Sequence, residues 1–239
     1  MYVGAHFFSS NGPKDARRAS FGAKNETIRF VLRCFFSNFA AEFAPRGAIH
    51  YIIYIIIRME KFSELIRLRR SMRKFTSERV SADDARLLLR AGLMAPSSKG
   101  LHSWEFVMVE DSATIERLSH CKAQGADFLG GAPLLIVVAA NPEVSDVWIE
   151  DASVASTMIL LQAEDIGLGA CWVQVRERQD DAGRSAEDNV RSILGLPGHW
   201  RILSIIAVGH KGMERKPFNE ERLLWDKVHA YSPMIPLEF

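Results

Sequence analysis

The residues with the clearest capacity for chemistry form a basic run from Arg69 to Lys74, with the sequence Arg-Arg-Ser-Met-Arg-Lys. Arginine offers forked, permanently charged donors that match the oxygens of a phosphate or another planar anion. At the end of a helix, the same charges could instead face solvent and complement the helix dipole. Residue types alone favour the solvated helix end over the phosphate site.

A second polar cluster lies between Ala95 and Trp104, with the sequence Ala-Pro-Ser-Ser-Lys-Gly-Leu-His-Ser-Trp. Its proline is expected to end a helix, and polar loops between a helix and a strand often carry ligand contacts. Two hydroxyls, Lys99 and His102 could contact the edge of a heteroaromatic ring. A simple helix stop and turn would use much the same residues, so both interpretations stay open at this point.

Helical and strand-like patterns alternate around these clusters. An amphipathic helix is expected from Met59, with Phe62, Leu65 and Ile66 on one face. A Ser-x-x-Asp start resembling a capping box opens a helix over Ser81–Ala95. Further helices are expected at Ser112–His120, at Val147–Ile166, from Ser185 to Gly195, and from Asn219 to about Ala230. Strands are expected at Trp104–Val109, Leu134–Ala140, Ala170–Val175 and Ile202–Val208.

Two of these segments bear on the fold class. Leu134–Ala140 is a continuous apolar run of the kind found in strands that are buried on both faces, so we expect it inside a sheet. Val147–Ile166 is apolar nearly all round and must be covered, either in the core or by the same helix of a second subunit. The strands are few and irregularly spaced, which argues against a regular parallel series. The fold class is therefore α+β or mixed α/β.

The composition fits one globular domain, with 239 residues of which 48% are apolar and 25% charged. Because 30 basic residues nearly balance 29 acidic ones, charge gives no argument for nucleic acid or an anionic membrane as a partner. The longest largely apolar stretch, Ile49–Ile57, is too short to span a bilayer, so no membrane segment is expected. Three cysteines without a disulfide or metal spacing indicate a reducing, cytoplasmic setting and no metal site.

Residues 1–58 differ from the rest of the chain in charge. They hold 8 Lys and Arg against 3 Asp and Glu, whereas 22 basic and 26 acidic residues follow from Met59 onward. The segment shows no sustained helical or strand period. It could be a targeting peptide, although its Phe- and Ile-rich composition matches an amphipathic presequence poorly. We favour an over-extended start, with residues 59–239 as the folded domain.

Four short motifs occur in an order that resembles the FMN-dependent nitroreductase family. Arg-Arg-Ser-x-Arg at 69–73 precedes Ala-Pro-Ser-Ser-x5-Trp-Glu-Phe from Ala95. Gly-Leu-Gly-Ala-Cys-Trp at 167–172 follows, and then Val208-Gly209 ahead of a basic, proline-containing turn. The resemblance covers about residues 60–230. Each motif is short, but their combined order makes the basic run and the loop a binding site rather than solvated surface.

The resemblance implies a nitroreductase-like three-layer α/β/α fold with a mostly antiparallel sheet, and a homodimer that holds FMN at its interface. The helix at Val147–Ile166 would form much of that interface. The FMN contacts that it implies are Arg69, Arg70, Ser71, Arg73, Pro96, Ser97, Ser98, Lys99, His102, Gly169, Trp172, Val173 and one of Lys211, Arg215 and Lys216. The contacts from the loop would reach the flavin of the other subunit. His102 departs from the family pattern, which has Gln at this position.

The implied activity is an NAD(P)H oxidoreductase in which the flavin carries the chemistry and no protein nucleophile is needed. NADH or NADPH donates a hydride and leaves, and a nitroaromatic, quinone or similar small molecule then occupies the same place in a ping-pong scheme. The alternatives are a related flavin enzyme that catalyses dehalogenation, enone reduction or flavin fragmentation, or a non-catalytic flavin-binding protein.

Other candidate groups receive structural interpretations. Cys171 has apolar neighbours and no histidine at a motif spacing, which favours a buried core thiol over a nucleophile. Glu150, Asp151 and Glu164 lie on the long helix and are expected to be interface or solvent charges. The chain has no Rossmann, Walker or nucleophile-elbow motif, which weakens dinucleotide-fold, P-loop and hydrolase readings.

Overall fold

The computed structural model describes residues 62–229, within the unit Lys61–Phe239 of the chain. The expectations for residues 1–58 and for a start at Met59 lie outside the described residues. The helices are α1 (Phe62–Leu68), α2 (Ala82–Leu93), α3 (Ser112–Ser119), α4 (Trp148–Asp165) and α5 (Ala186–Leu194). The strands are β1 (Trp104–Val109), β2 (Leu134–Ala140), β3 (Leu168–Gln174) and β4 (Arg201–His210).

The four strands form one sheet in the order β1-β2-β4-β3, and each neighbouring pair is antiparallel. All seven side chains of β2 are buried, as expected for a strand with apolar residues on both faces. The predicted internal position of this strand is confirmed.

Alternate side chains of β2 enter two separate cores. Leu135, Val137 and Ala139 pack with α3 and α5, while Ile136 and Val138 pack with α2 and α4 on the opposite face of the sheet. This alternation follows from the two-residue period of a strand. Helices therefore cover both faces, and the predicted three-layer α+β fold with an antiparallel sheet is confirmed.

The helix boundaries follow the capping signals in the sequence. Ser81 caps α2 by accepting a hydrogen bond from the Asp84 backbone N–H at 3.0 Å, and Ser185 caps α5 in the same way. Gly195 ends α5 in the left-handed conformation with φ 62°, which a glycine adopts without steric cost. The expected starts at Ser81 and Ser185 and the expected stop at Gly195 are confirmed, whereas α2 ends at Leu93, before the expected Ala95.

Two expectations about helices are wrong in part. The helix predicted from Asn219 is replaced by two short 3₁₀ turns, Glu220–Arg222 and Trp225–Lys227. Every residue from 211 to 229 is exposed, so a helix here would have no surface on which to bury its apolar side. In α1, the expected apolar face is also not covered, since Phe62 and Ile66 are exposed.

The long helix α4 buries one side against the sheet through residues such as Ala152, Ala155 and Ile159. Its other side keeps apolar residues in solvent within the single chain, including Val154 at 41% exposure. The predicted burial is therefore met on one side only. Within residues 62–229, no helix is long and apolar enough to cross a membrane.

Candidate functional site

The basic run leaves the end of α1 and lies in an extended conformation along β3, the edge strand of the sheet. Ser71 pairs with Ala170 in a parallel bridge, and the Met72 N–H donates to the Ala170 carbonyl at 2.9 Å. Phe75 forms a second bridge, to Lys211 just beyond β4. The run is thus fixed by backbone pairing and is not a frayed helix end.

Two glycines allow this close approach. A Cβ atom on Gly169 would lie 2.6 Å from Met72 Cγ, and one on Gly212 would lie 2.9 Å from the Phe75 backbone. Real Cβ atoms do not come this close to other heavy atoms, so a side chain at either position would displace the run. Gly169 therefore contributes to the site by having no side chain.

The extended conformation sends alternate side chains of the run to different surroundings. Arg70 and Met72 line a cavity of about 500 Å³. The Arg73 guanidinium lies 5.9 Å from the centre of the Phe128 ring. Arg73 and Ser71 also act on Cys171: burial raises the pKa of this thiol, whereas the charge of Arg73 and a hydrogen bond with Ser71 lower it by less. The guanidinium groups of Arg70 and Arg73 therefore lie in different surroundings, one at the cavity and one near Phe128.

The basic turn that follows β4 meets the basic run. Arg215 Nη2 donates to the Ser71 carbonyl at 3.3 Å, and Arg70 Nη1 donates to the Lys216 carbonyl at 2.8 Å. Lys211 also lines the cavity, but its Nζ lies 2.7 Å from Glu164 Oε1 in an ion pair. The first and last motifs of the sequence are therefore adjacent in space, as their proposed shared role requires.

Most of these cations have no anionic partner. Among residues 62–229, no carboxylate forms an ion pair with Arg69, Arg70, Arg73 or Arg215. Arginines placed together repel one another unless an anion screens them. Cations without such a partner can bind a negatively charged group.

The loop after α2 has an unusual backbone. Lys99, Gly100 and His102 have φ values of 53°, 65° and 50°, and two of these three left-handed residues are not glycine. Pro96, Lys99 and His102 are exposed, and Ser97 and Ser98 are half-buried. The His102 ring lies 5.2 Å from the buried Trp104 ring, which orients it.

The loop and the basic run do not come together within one chain. The loop contacts the start of α4, where the Ser98 N–H donates to Asp151 Oδ1 at 2.8 Å. The basic turn contacts the end of the same helix through Lys211 and Glu164. Asp151 and Glu164 are thirteen positions apart on α4, which corresponds to about 20 Å along the helix axis. Within the described residues, the loop and the basic turn therefore contact α4 at two separate places.

The third motif lies on β3. Gly169 is next to Met72 and Lys211. Val173 is buried in the core with α3 and α5, so its backbone rather than its side chain is available to a ligand. Trp172 is half-buried, and its Nε1 donates to Gln174 Oε1 at 3.0 Å, which fixes the indole.

Two acidic residues have more specific contacts than the sequence indicated. Asp151 is only 6% exposed and accepts hydrogen bonds from the loop, so the interpretation as an interface or solvent charge is wrong for this residue. Glu164 is paired with Lys211. No spacing signal links Asp151 to Ser98, because 53 residues separate them in sequence. Cys171 is a free, buried thiol, as predicted.

Comparisons with known proteins agree with one another. The sequence profile of the Nitroreductase family matches residues 66–126 and 118–210. The solved structure of an FMN-dependent nitroreductase from Clostridium difficile is 42% identical, covers 70% of this chain and 98% of that one, and gives a TM-score of 0.69. An Archaeoglobus fulgidus relative, provisionally named NADH dehydrogenase/NAD(P)H nitroreductase, is 30% identical over 72% of this chain and 98% of its own. The NADPH-flavin oxidoreductase of Vibrio harveyi is 27% identical over 64% of this chain and 66% of its own.

Proposed function

Since this chain belongs to the nitroreductase family, we propose that it is an FMN-dependent NAD(P)H oxidoreductase that reduces small electron acceptors such as nitroaromatics or quinones. The observation that carries the proposal is the cluster of arginines without anionic partners at the edge of β3, formed by the first and last family motifs. FMN ends in a phosphate, the anion that such a cluster suits best.

The residues present fit that phosphate. Arg69, Arg73 and Arg215 can supply forked charged donors, and Ser71 lies between Arg69 and Arg73 in sequence and accepts from Arg215 through its backbone carbonyl. Arg215 is the preferred partner from the basic turn because its guanidinium already reaches the backbone of Ser71. Lys211 is less suited, since Glu164 neutralises it. Arg70 and the backbone of Lys216 bond to each other and hold the turn in place.

A homodimer would complete the site. The loop and the basic turn contact opposite ends of α4, about 20 Å apart along its axis. Two copies of α4 packed antiparallel about a two-fold axis would bring the loop of one subunit to the arginine cluster of the other. The exposed side chain of Val154 on α4 supports this helix as the interface. Pro96, Ser97, Ser98 and the nearby Lys99 would then reach the partner's flavin.

The chain itself binds and orients the reactants. Bound FMN supplies the hydride chemistry, and the protein supplies position and electrostatics. His102 can donate to the flavin edge or accept from it, depending on its tautomer. The indole of Trp172, which its hydrogen bond to Gln174 fixes, and the backbone at Gly169 and Val173 would lie beside the flavin ring. NADH or NADPH and the acceptor bind there in turn. A cytoplasmic location stays a prediction, supported by two buried, unpaired thiols.

The phosphate assignment is tested by titrating flavin-free protein with FMN and following flavin fluorescence. For Arg73→Ala we expect the dissociation constant to rise about 10- to 100-fold, because one charged hydrogen bond is lost. Arg86→Ala, which removes an exposed arginine from α2, is the matched control and should bind as the wild type does. Equal affinity of Arg73→Ala and the wild type would contradict the assignment.

A related reaction of the same fold is distinguished by the electron acceptor. If NAD(P)H reduces the bound flavin but only a halogenated compound or an enone reoxidises it without oxygen, the chain is a dehalogenase or an enone reductase. If NAD(P)H leaves the bound flavin oxidised, the chain binds flavin without this catalysis.

A further inference from the structure

Asp151 is a buried carboxylate in the first turn of α4. Oδ1 accepts from the Ser98 N–H at 2.8 Å, and Oδ2 accepts from the buried Ser145 hydroxyl at 3.3 Å. No Lys, Arg or His among residues 62–229 forms an ion pair with it. Burying a carboxylate without a cation is costly, and here the helix N-terminus and the two hydrogen bonds offset that cost. The carboxylate of Asp151 therefore binds the loop through the Ser98 N–H.

The loop that receives this contact is strained. Lys99 and His102 are non-glycine residues in the left-handed region, which is unfavourable for each of them. Gly100 N–H and Leu101 N–H bond to carbonyls of the loop itself, at 3.1 and 3.0 Å. The bond from Ser98 to Asp151 instead joins the start of the strained turn to the rigid helix. Such a conformation persists only where its surroundings hold it.

We propose that Asp151 is a positioning residue, which fixes the Ser98 peptide and so holds the turn from Lys99 to His102 in the shape that meets the flavin. The proposal rests on the proposed function, in which this loop contacts FMN. Because hydrogen bonds to a charged acceptor are roughly twice as strong as neutral ones, a carboxylate can hold a backbone that a neutral acceptor holds less firmly.

The anchor itself is tested on flavin-free protein by limited digestion with trypsin, because Lys99 is an exposed cleavage site within the turn. Asp151→Ala should speed cleavage after Lys99 about tenfold, since the local opening becomes easier. Asp151→Asn keeps an acceptor oxygen of the same shape and should stay nearer the wild-type rate. Glu150→Ala, which removes an exposed charge from the same helical turn, is the control. Equal cleavage of Asp151→Ala and the wild type would overturn the proposal.

The consequence for the flavin is measured by titrating the same variants with FMN and recording the flavin absorbance spectrum. Asp151→Ala should weaken FMN binding about tenfold and shift the flavin spectrum. Asp151→Asn should stay closer to the wild type in both affinity and spectrum. Faster cleavage with unchanged affinity and spectrum would overturn the positioning role. A wild-type chain that binds no FMN would overturn this role together with the proposed function, and the cleavage assay would tell the two failures apart because it needs no flavin.

Discussion

At the scale of single residues, the arginine cluster depends on a glycine. Gly169 lets Met72 lie against β3, and this contact sets the distance between the basic run and the basic turn. The glycine has no positive φ, so its requirement is steric and not conformational. A methyl group at this position would meet Met72 Cγ and Lys211 Cγ at 2.6 and 3.1 Å.

We therefore expect Gly169→Ala to lower the free energy of unfolding by about 1–3 kcal/mol through overpacking, and to weaken FMN binding because the run is displaced. Thermal unfolding and an FMN titration measure both effects. Gly198→Ala is the matched control, since a Cβ there has no heavy atom within 4 Å. A Gly169→Ala protein with unchanged stability and affinity would show that the run tolerates displacement.

Residue types in sequence identified the arginines but not their environment. The motif order predicted that Arg73 and the turn near Arg215 belong to one site, and the structure places these segments side by side. The role of Asp151 escaped sequence reasoning because its partner is a backbone N–H, which every residue except proline has. The ion pair between Lys211 and Glu164 could not be predicted from sequence either, because 47 residues separate the two.

At the scale of elements, Glu187 connects α5 to β4. It is 4% exposed, bonds to both Arg201 Nε and Nη2 at 2.8 Å, and accepts from the Ile202 N–H at 3.1 Å. Burial by itself raises the pKa of Glu187. The hydrogen bonds and the charge of Arg201 together lower this pKa by more than burial raises it, so the net shift is downward. A depressed carboxyl pKa stabilises the fold above its unfolded pKa, and that contribution is lost as the pH falls.

Glu187→Gln should accordingly lower the free energy of unfolding by about 2 kcal/mol at pH 7. This is less than the loss from breaking a fully buried ion pair, because Arg201 is partly exposed. The difference in the free energy of unfolding between the wild type and the variant should decrease below about pH 4.3, where the carboxyl group of the unfolded chain becomes protonated. Urea unfolding at pH 7 and pH 3 measures this difference. Asp188→Asn, which neutralises a carboxylate that is 65% exposed in its pair with Arg191, should change stability by less than about 0.5 kcal/mol. A pH-independent difference would contradict this interpretation.

The helix α4 carries the prediction about assembly. Val154→Asp places a charge on its exposed apolar side, which the proposed dimer buries, so we expect monomers and lower FMN occupancy. Val144→Asp makes the same change at a similarly exposed valine before the helix and should leave the dimer intact. Light scattering gives the molar mass of each variant. A Val154→Asp dimer, or a monomeric wild type, would contradict the interface.

The elements differ in how well local sequence specified them. β1 and β2 match their predicted bounds because backbone pairing fixes both in the sheet of the same chain, β2 with all seven side chains buried and β1 with Trp104 and Val109 buried at its ends. α2 and α5 match because Ser81 and Ser185 cap them through local hydrogen bonds. The segment after β4 forms 3₁₀ turns in place of the predicted helix, and Leu223 and Leu224 there are 44% and 63% exposed, so packing adds little to stabilise a helix.

At the scale of the whole molecule, the fold was predictable because the strand pattern, the caps and the order of motifs agreed with one another. For the site, the sequence predicted each of the two segments but not where they lie relative to each other. Composition and spacing locate the loop and the arginine cluster, but one chain keeps them at opposite ends of α4. Dimerisation, and the boundary expected between residues 58 and 59, stay predictions.

The most direct test of the central claim is the absorbance spectrum of the FMN-reconstituted protein without oxygen, before and after NADH or NADPH is added. We predict flavin bands that one or both nicotinamides bleach and that a nitroaromatic or quinone restores. A protein that takes up no FMN, or one whose flavin bands persist with both nicotinamides, would contradict the assignment as an NAD(P)H oxidoreductase.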